Sequence, residues 1–366
     1  MQHFISIALF ITINILFYFK YMYRYSFPLA ILSICLYGLF IYFSYGLYKK
    51  GKFVNSQIIG FIALVLVSIA SGVVLHEVAK ESLRIDRWEM IQLFWDSALD
   101  GIYPYGVHSA KGNYPGPMPF YYIIAYPFYL VGEIGWMTVT SLWICFLAFF
   151  RKLKSNSLGL MMCLLMSSLA IYWEIVTRST IFVNTLLFFL FFLQLRKIEF
   201  KSLYSYYGLA VLGGFLLSTR NVYAIPLIIW GLYMLLNKKL TVVDMTKWGF
   251  VFLFSFVITF IPFYCMDPTT FMKLNPFITQ GSVLLPTKYV LFFIGLAFVF
   301  PFFCKKYSDV VFYSGLLLFL TITGHFIYAL SENGINGYLD SGADISYYIF
   351  CFPFLINRIL IKESYD

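Results

Sequence analysis

Three charged side chains stand out in a largely apolar chain, and their chemistry would be useful at a membrane surface. Asp86 lies in the first long polar stretch, while Arg178 and Arg220 interrupt apolar runs. A carboxylate can accept a proton from a hydroxyl group as a general base, and a guanidinium group binds phosphate through several N–H donors. Structural interpretations also exist: a helix-start carboxylate for Asp86, and arginines that extend to lipid headgroups.

The two arginines have similar local settings, in the tripeptides T-R-S and T-R-N between apolar runs. In each case the next residue, Ser179 or Asn221, is a good N-cap for the following helix. A helix N-terminus beside a guanidinium group is a natural phosphate site. Glu174 precedes Arg178 by one turn and can instead pair with it at i,i+4 spacing. The pattern therefore leaves both a ligand site and a local ion pair open at Arg178.

The composition determines the class of protein that carries these residues. Of the 366 residues, 61% are hydrophobic and 12% are charged, and the mean hydropathy is +0.81. Soluble domains are about 25% charged, and the apolar residues here form long blocks typical of membrane spans. We therefore expect an all-α, polytopic transmembrane bundle that forms a single domain over residues 1–366. The net charge of +9 is spread over short clusters between the blocks, which predicts no nucleic-acid partner.

The apolar blocks predict about twelve spans, and the basic clusters predict their orientation. Lysine and arginine fall in alternate connections, for example at 49–52, 151–154 and 238–247. Short basic loops remain in the cytoplasm, so both termini are expected there, in a multi-pass protein of the bacterial inner membrane. The predicted spans are 4–19, 27–47, 56–76, 136–150, 158–173, 180–195, 205–219, 222–236, 248–264, 287–303, 309–329 and 345–362.

This orientation puts the long connection 77–118 outside the cytoplasm, where residues 84–100 predict an amphipathic helix lying in the membrane interface. Gly101 is placed to end that helix. Residues 119–131 are apolar but too short to cross, which predicts a half-inserted or broken helix before the fourth span. The apolar face of the interfacial helix is predicted to contain Trp88, Ile91, Trp95, Ala98 and Leu99, opposite Glu89, Gln92, Asp96 and Asp100.

The segment that follows the interfacial helix is rich in proline and glycine, which together specify one loop conformation. This loop carries several side chains that could contact a sugar or a phosphate. His325, near the outer end of a later span, is a further candidate, although a hydrogen-bonded structural histidine is the commoner case. The candidate binding residues in the loop are Tyr103, Tyr105, His108, Lys111 and Asn113.

The order of these motifs resembles the first large outer loop of the GT-C glycosyltransferases, in the mannosyltransferase branch. Asp86 is followed by G-I-Y-P-Y at 101–105 and by P-M-P-F-Y-Y at 117–122. The resemblance implies an integral-membrane enzyme that transfers a sugar from a polyprenyl-phosphate donor to a glycan or lipid acceptor, with inversion at the anomeric carbon. It also implies that Asp86 is the catalytic base and that the two arginines bind the donor phosphate.

Two other functions are compatible with the same features. A Wzy-type polysaccharide polymerase, such as an O-antigen polymerase, also has about a dozen spans and uses outward-facing arginines. A flippase for lipid-linked oligosaccharides would have a similar number of spans, with polar or broken helices near mid-membrane. The sequence contains no metal-ligand spacing and no nucleotide-binding fingerprint. It therefore predicts no cofactor and leaves a divalent cation open.

Overall fold

The computed structural model describes residues 1–83, 85–197, 203–283, 285–339 and 344–360. Within these ranges every regular element is helical and no strand occurs, as the apolar blocks predicted. Short 3₁₀ turns lie between several of the helices. The α-helices are α1 (Gln2–Tyr23), α2 (Phe27–Lys49), α3 (Ser56–Glu77), α4 (Arg87–Leu99), α5 (Pro119–Val131), α6 (Trp136–Phe149), α7 (Ser155–Met166), α8 (Leu169–Val176), α9 (Ile181–Gln194), α10 (Leu203–Leu217), α11 (Ala224–Leu236), α12 (Val242–Ile258), α13 (Ile261–Met266), α14 (Pro268–Lys273), α15 (Pro276–Val283), α16 (Thr287–Val299), α17 (Tyr307–Leu339) and α18 (Phe352–Leu360).

Four of these helices are long and apolar enough to cross a membrane: α1, α2, α3 and α17. Two bent pairs, α5 with α6 and α7 with α8, raise the number of candidate spans to six if each pair crosses as one unit. Large apolar side chains are exposed on α2 and α3, which is expected of surfaces that contact lipid. The remaining apolar helices are shorter, so the predicted count of twelve crossings stays a prediction.

The bent pairs show where the predicted spans are interrupted. Between α5 and α6 the axis turns by 114°, at Gly132, whose φ of +82° is readily adopted only by glycine. This agrees with the prediction of a broken helix over 119–131. The predicted span 158–173 is not continuous, because α7 and α8 are bent by 55°. There the hydroxyl group of Ser168 donates to Asn14 Oδ1 of α1 at 2.7 Å.

Two other predicted spans are also divided. The span 248–264 contains most of α12 and the first four residues of α13, with Pro262 in the first turn of α13. Proline lacks the N–H that would continue the helix, so a break at this point is expected. The span 345–362 begins as a 3₁₀ segment, Ile345–Cys351, and continues as α18. Residues 361–362 lie outside the described residues.

The chain forms two compact units, each built from separate parts of the sequence. The first contains Met1–Ser82, Gly135–Val183 and Ile322–Asp366, and in it α1 packs against α2, α8 and α18. The second contains Leu83–Ile134 and Asn184–Thr321. Asp86 and Arg220 belong to the second unit, whereas Arg178 and His325 belong to the first.

The second unit depends on one very close helix contact, between α10 and α12. A Cβ atom added at Gly214 of α10 would lie 2.3 Å from the backbone oxygen of Phe252 and 2.9 Å from the backbone nitrogen of Phe256. Only glycine allows the two backbones to approach this closely. The turn that carries Arg220 follows directly after α10, so this contact helps to fix the position of the turn.

Candidate functional site

Helix α4 begins directly after Asp86 and ends as the sequence predicted. Gly101 has a φ of +73°, and its N–H donates to the carbonyl of Ala98 at 3.4 Å. The N–H of Ile102 donates to the carbonyl of Ser97 at 2.8 Å. These two hydrogen bonds form a Schellman motif, which satisfies carbonyl groups at the helix end. The chain therefore leaves α4 in a defined direction.

The buried face of α4 differs from the predicted apolar face. Met90, Ile91, Phe94 and Ser97 are buried, whereas Leu99 is 60% exposed. Of the predicted face, only Ile91 is fully buried. Phe94 stacks on Tyr122 of α5, with ring centroids 3.6 Å apart. Helical periodicity shows that a face is apolar, but it cannot distinguish contact with protein from contact with lipid. A position of α4 in the membrane interface remains a prediction.

Asp86 is half-buried, and its carboxylate does not cap α4. One oxygen, Oδ2, accepts hydrogen bonds from Ser109 Oγ at 2.6 Å and from Asn113 Nδ2 at 2.7 Å. The other oxygen, Oδ1, has no hydrogen-bond partner within the described ranges. The carboxylate is therefore held in one orientation through Oδ2, while Oδ1 remains able to accept a proton.

The partners of Asp86 belong to a compact turn over residues 109–113. Ser109 is 1% exposed, and its N–H donates to the carbonyl of Asn113 at 2.9 Å. The N–H of Ala110 donates to Glu89 Oε1 of α4 at 2.8 Å. The carboxylates of Asp86, directly before α4, and of Glu89, within α4, thus anchor this turn. Asn113 was among the predicted site residues, whereas Ser109 and Glu89 were not, because only the turn-forming composition of the loop indicated them.

The other predicted binding residues of the loop differ in burial, two being exposed and two buried. His108 and Lys111 are exposed, which leaves them accessible as predicted contacts for a ligand. Tyr103 and Tyr105 are buried, and their hydroxyl groups donate to the carbonyls of Leu274 at 2.8 Å and of Pro117 at 3.2 Å. Burial raises the pKa of both phenols, so both remain donors at neutral pH. These contacts support the conformation of the loop itself.

The end of this loop runs beside the turn that carries Arg220. The N–H of Met118 donates to the carbonyl of Thr219 at 3.3 Å, and the N–H of Phe120 donates to that of Ser218 at 2.9 Å. The Arg220 guanidinium carbon lies 5.3 Å from the ring centroid of Tyr121. The structure therefore places the turn of Arg220 against the end of the loop and the first turn of α5.

Arg220 is half-buried and retains its hydrogen-bonding capacity. Its guanidinium group donates no hydrogen bond to any residue that the structure describes, so the group remains available to a ligand. Asn221 was predicted to cap the next helix, but it lies inside a 3₁₀ turn, Asn221–Tyr223, that leads into α11. Its backbone N–H donates to Gln280 Oε1 at 3.2 Å, a contact that sequence reasoning missed.

Arg178 has a different environment, although its local sequence is similar. It is 1% exposed, so its side chain does not extend to lipid headgroups. Its guanidinium group donates to the carbonyl of Val176 at 2.9 Å and to those of Leu75 and Val78 at 2.9 and 2.8 Å. The last two carbonyls lie at the C-terminal end of α3, where helix carbonyls need partners. Arg178 therefore joins the end of α3 to the turn before α9.

The N-terminus of α9, beside Arg178, already has an anionic partner. Glu174 is fully buried and accepts hydrogen bonds from the N–H groups of Ile181 at 3.0 Å and Phe182 at 2.7 Å. It also accepts one from the hydroxyl group of Ser179 at 2.6 Å. Ser179 was predicted to cap this helix, but the carboxylate of Glu174 binds these N–H groups. This carboxylate occupies the position that a bound phosphate would need.

The remaining predicted residue, His325, is half-buried in α17 of the first unit, where its ring centroid lies 6.1 Å from that of Tyr347. Over the described part of the chain, no group of three or more His, Cys, Asp or Glu residues could hold a metal ion. Comparisons with protein families, curated proteins and solved structures find no match to this chain. The geometry of the second unit therefore carries the functional argument.

Proposed function

We propose that this protein is an integral-membrane glycosyltransferase that acts outside the cytoplasm. It takes a sugar from a polyprenyl-phosphate donor and transfers it to a hydroxyl group of a glycan or lipid acceptor, in the synthesis of a cell-surface polysaccharide or glycoconjugate. The observation that carries the proposal is the carboxylate of Asp86, which is oriented through Oδ2 and has Oδ1 without a partner within the described ranges.

In this mechanism Asp86 Oδ1 accepts the hydrogen of the acceptor hydroxyl group. The hydroxyl oxygen forms a bond to the anomeric carbon while the bond from that carbon to the phosphate oxygen breaks. The proton passes to Asp86, and the electron pair of the broken bond stays on the leaving phosphate. Hydrogen bonds from Ser109 and Asn113 keep the carboxylate in the orientation that this transfer needs.

Arg220 is proposed to stabilise the negative charge that develops on the leaving phosphate. Its donors are available, it lies in the same unit as Asp86, and the residue before it accepts a hydrogen bond from Met118 at the end of the same loop. Preorganised cations directed at developing charge are a common source of rate enhancement. For Arg178 we propose a structural role instead, because its described hydrogen bonds go to backbone carbonyls at the ends of α8 and α3.

Two structural features bear on the alternative functions. The burial of Arg178 removes one of the two arginines on which the polymerase interpretation depended. The helix pairs bent by 114° and 55° favour the flippase interpretation, because broken helices are typical of transporters. The deciding difference is chemical, since a flippase leaves the bond between sugar and phosphate intact.

The test uses the purified full chain in lipid vesicles, supplied with polyprenyl-phosphate sugars labelled in the sugar and with a lipid extract of the producing cells as acceptor. A transferase moves the label to the acceptor and releases polyprenyl phosphate, and Asp86→Asn prevents this. A flippase moves the intact labelled lipid across the bilayer. Transfer of a whole glycan from a polyprenyl diphosphate identifies a polymerase. Either of the last two results overturns the proposal.

A further inference from the structure

The loop that follows α4 and the turn that follows α10 are held side by side by a short ladder of hydrogen bonds. Two rungs are direct, from the N–H of Met118 to the carbonyl of Thr219 and from the N–H of Phe120 to that of Ser218. The third rung is a side chain. Gln280 Nε2 donates to the carbonyl of Gly116 at 2.7 Å, and Gln280 Oε1 accepts from the N–H of Asn221 at 3.2 Å.

Gln280 thus extends the ladder with one amide that contacts a backbone group on each side. Both of its contacts lie close to Arg220. Asn221 is the next residue in the chain, and Gly116 begins the segment that carries Tyr121, the residue that Arg220 contacts. The first loop also packs against the segment of Gln280 itself, because a Cβ atom at Gly116 would lie 3.6 Å from Thr279 Cγ2. The third rung is therefore built into a packed surface.

Arg220 depends on this ladder for its orientation. Its guanidinium group makes no hydrogen bond to the described residues that could fix it, and its described contact is the ring of Tyr121. The direction of the Arg220 side chain therefore depends on the backbone at 219–221 and on the distance of Tyr121 from that backbone. Both depend on the register that the three rungs maintain.

The chemical type of residue 280 is important for the same reason. An amide provides one donor and one acceptor and carries no charge, so it satisfies both backbone groups without neutralising Arg220. A carboxylate would retain the acceptor, lose the donor and add a negative charge against the turn that carries Arg220. Glu174 illustrates the consequence in the first unit, where its carboxylate occupies the helix N-terminus beside Arg178.

We propose that Gln280 is a positioning residue that holds Arg220 in place for the phosphate group of a lipid donor. The inference rests on the proposed function, because it takes Arg220 to be the phosphate ligand. Gln280 itself is not assigned any contact with the substrate; it acts through the register of the two backbone segments.

The test measures the affinity of the purified full chain in nanodiscs for a polyprenyl phosphate that carries no sugar. Gln280→Leu removes both hydrogen bonds at similar size, and we expect affinity to fall about tenfold, as expected when a ligand-binding side chain loses its support. In the Arg220→Gln background the same substitution should have no further effect. Gln57→Leu is the matched control, because Gln57 Nε2 also donates to a backbone carbonyl, that of Phe150, at 3.2 Å.

A second variant adds a readout that a general loss of stability would not produce. In Gln280→Glu the ionised side chain weakens binding, and its protonation at about pH 4.3 restores a neutral group with one donor and one acceptor. Affinity relative to wild type at each pH should therefore recover as the pH falls from 6 to 4. The wild-type reference accounts for titration of the phosphate and of other groups.

The outcomes separate this inference from the proposed function. If Arg220→Gln binds polyprenyl phosphate as well as wild type, the assignment of Arg220 and the proposed function are both overturned. If Arg220→Gln loses affinity while Gln280→Leu and Gln280→Glu bind as wild type does, only the role of Gln280 is overturned. If Gln280→Leu does not fold, the inference is tested by the affinity of Gln280→Glu at each pH. If the ratio of this affinity to that of wild type does not change with pH, the inference is overturned.

Discussion

The sharpest prediction concerns the single substitution Asp86→Asn. In the structure one oxygen of the carboxylate, Oδ2, accepts both hydrogen bonds from the 109–113 turn. The carbonyl oxygen of asparagine can take that place and accept the same two bonds. The amide nitrogen then replaces Oδ1, the oxygen that is proposed to receive a proton. The substitution thus preserves the anchor of the turn and removes the base.

The two effects differ enough in size to be separated. Hydrogen bonds to a charged group contribute about 1.5–3 kcal/mol and those to a neutral group about 0.5–1.5 kcal/mol. Weakening two of them therefore costs about 2 kcal/mol of loop stability and leaves the loop formed. Loss of general-base catalysis lowers the rate by about 10²–10⁴, which corresponds to about 2.7–5.4 kcal/mol in the barrier. Activity should fall much more than thermal stability.

The assay is transfer of labelled sugar in vesicles, run beside the thermal unfolding of each variant. Glu89→Gln is the matched control, because Glu89 lies on the same helix and holds the same turn through Ala110. It loses a negative charge but retains the accepting oxygen, so its activity should remain near that of wild type. Ser109→Ala removes one bond to Asp86 and leaves the carboxylate in place, so it should lose less than tenfold.

One pattern of results would refute this reasoning. If Ser109→Ala or Asn113→Ala loses as much transfer activity as Asp86→Asn, then Asp86 serves to hold the loop and does not act as a base. Full activity in Asp86→Asn would be equally decisive, since an amide cannot accept the proton. In either case the catalytic carboxylate would have to be found elsewhere, and the glycosyltransferase proposal would lose its main support.

Three further predictions concern stability and topology. Arg178→Gln should lower the free energy of unfolding by about 3–5 kcal/mol, because buried carbonyls lose their partners, whereas Arg220→Gln should leave the melting temperature near that of wild type. Gly214→Ala should cost about 1–3 kcal/mol, since its Cβ atom would meet the backbone of α12 at 2.3 Å. In a variant without native cysteines, Ala110→Cys should react with an impermeant thiol reagent outside intact cells, and Lys154→Cys should not.

Each of these predictions has a result that contradicts it. Equal melting temperatures for the two arginine variants would contradict the structural role of Arg178. Gly208, also in α10, has no atom within 4 Å of an added Cβ, so Gly208→Ala should be neutral or slightly stabilising, and equal losses at both glycines would refute the packing argument. Ser109 is unsuitable for labelling because it is buried. Reversed labelling would place the candidate site in the cytoplasm.

Local sequence rules predicted the features that depend on local interactions. The end of α4 at Gly101 and the break at Gly132 follow from backbone conformations that glycine adopts easily. The long helices follow from uninterrupted apolar blocks. The 109–113 turn was predicted only as a shaped loop, because its anchors on α4 lie more than twenty residues earlier in the chain.

The contacts that the sequence did not predict join residues distant in the chain. Arg178 was expected at the membrane surface because an isolated charge in an apolar run is costly to bury. Two of its partners, the carbonyls of Leu75 and Val78, lie 103 and 100 residues away in the sequence. No local sequence pattern predicts these contacts. Gln280 was overlooked for the same reason, since it binds Gly116 over a separation of 164 residues.

The two arginines show how similar tripeptides can take opposite roles. Beside Arg178, a buried carboxylate from Glu174 binds the N–H groups of the next helix, and open carbonyls receive the guanidinium donors. A second anion would meet a site that is already filled and already negative. Beside Arg220, the corresponding N–H binds the neutral amide of Gln280, so the positive charge is not cancelled there. We therefore propose that charge balance at these two turns, more than the presence of arginine, determines which turn can receive a phosphate.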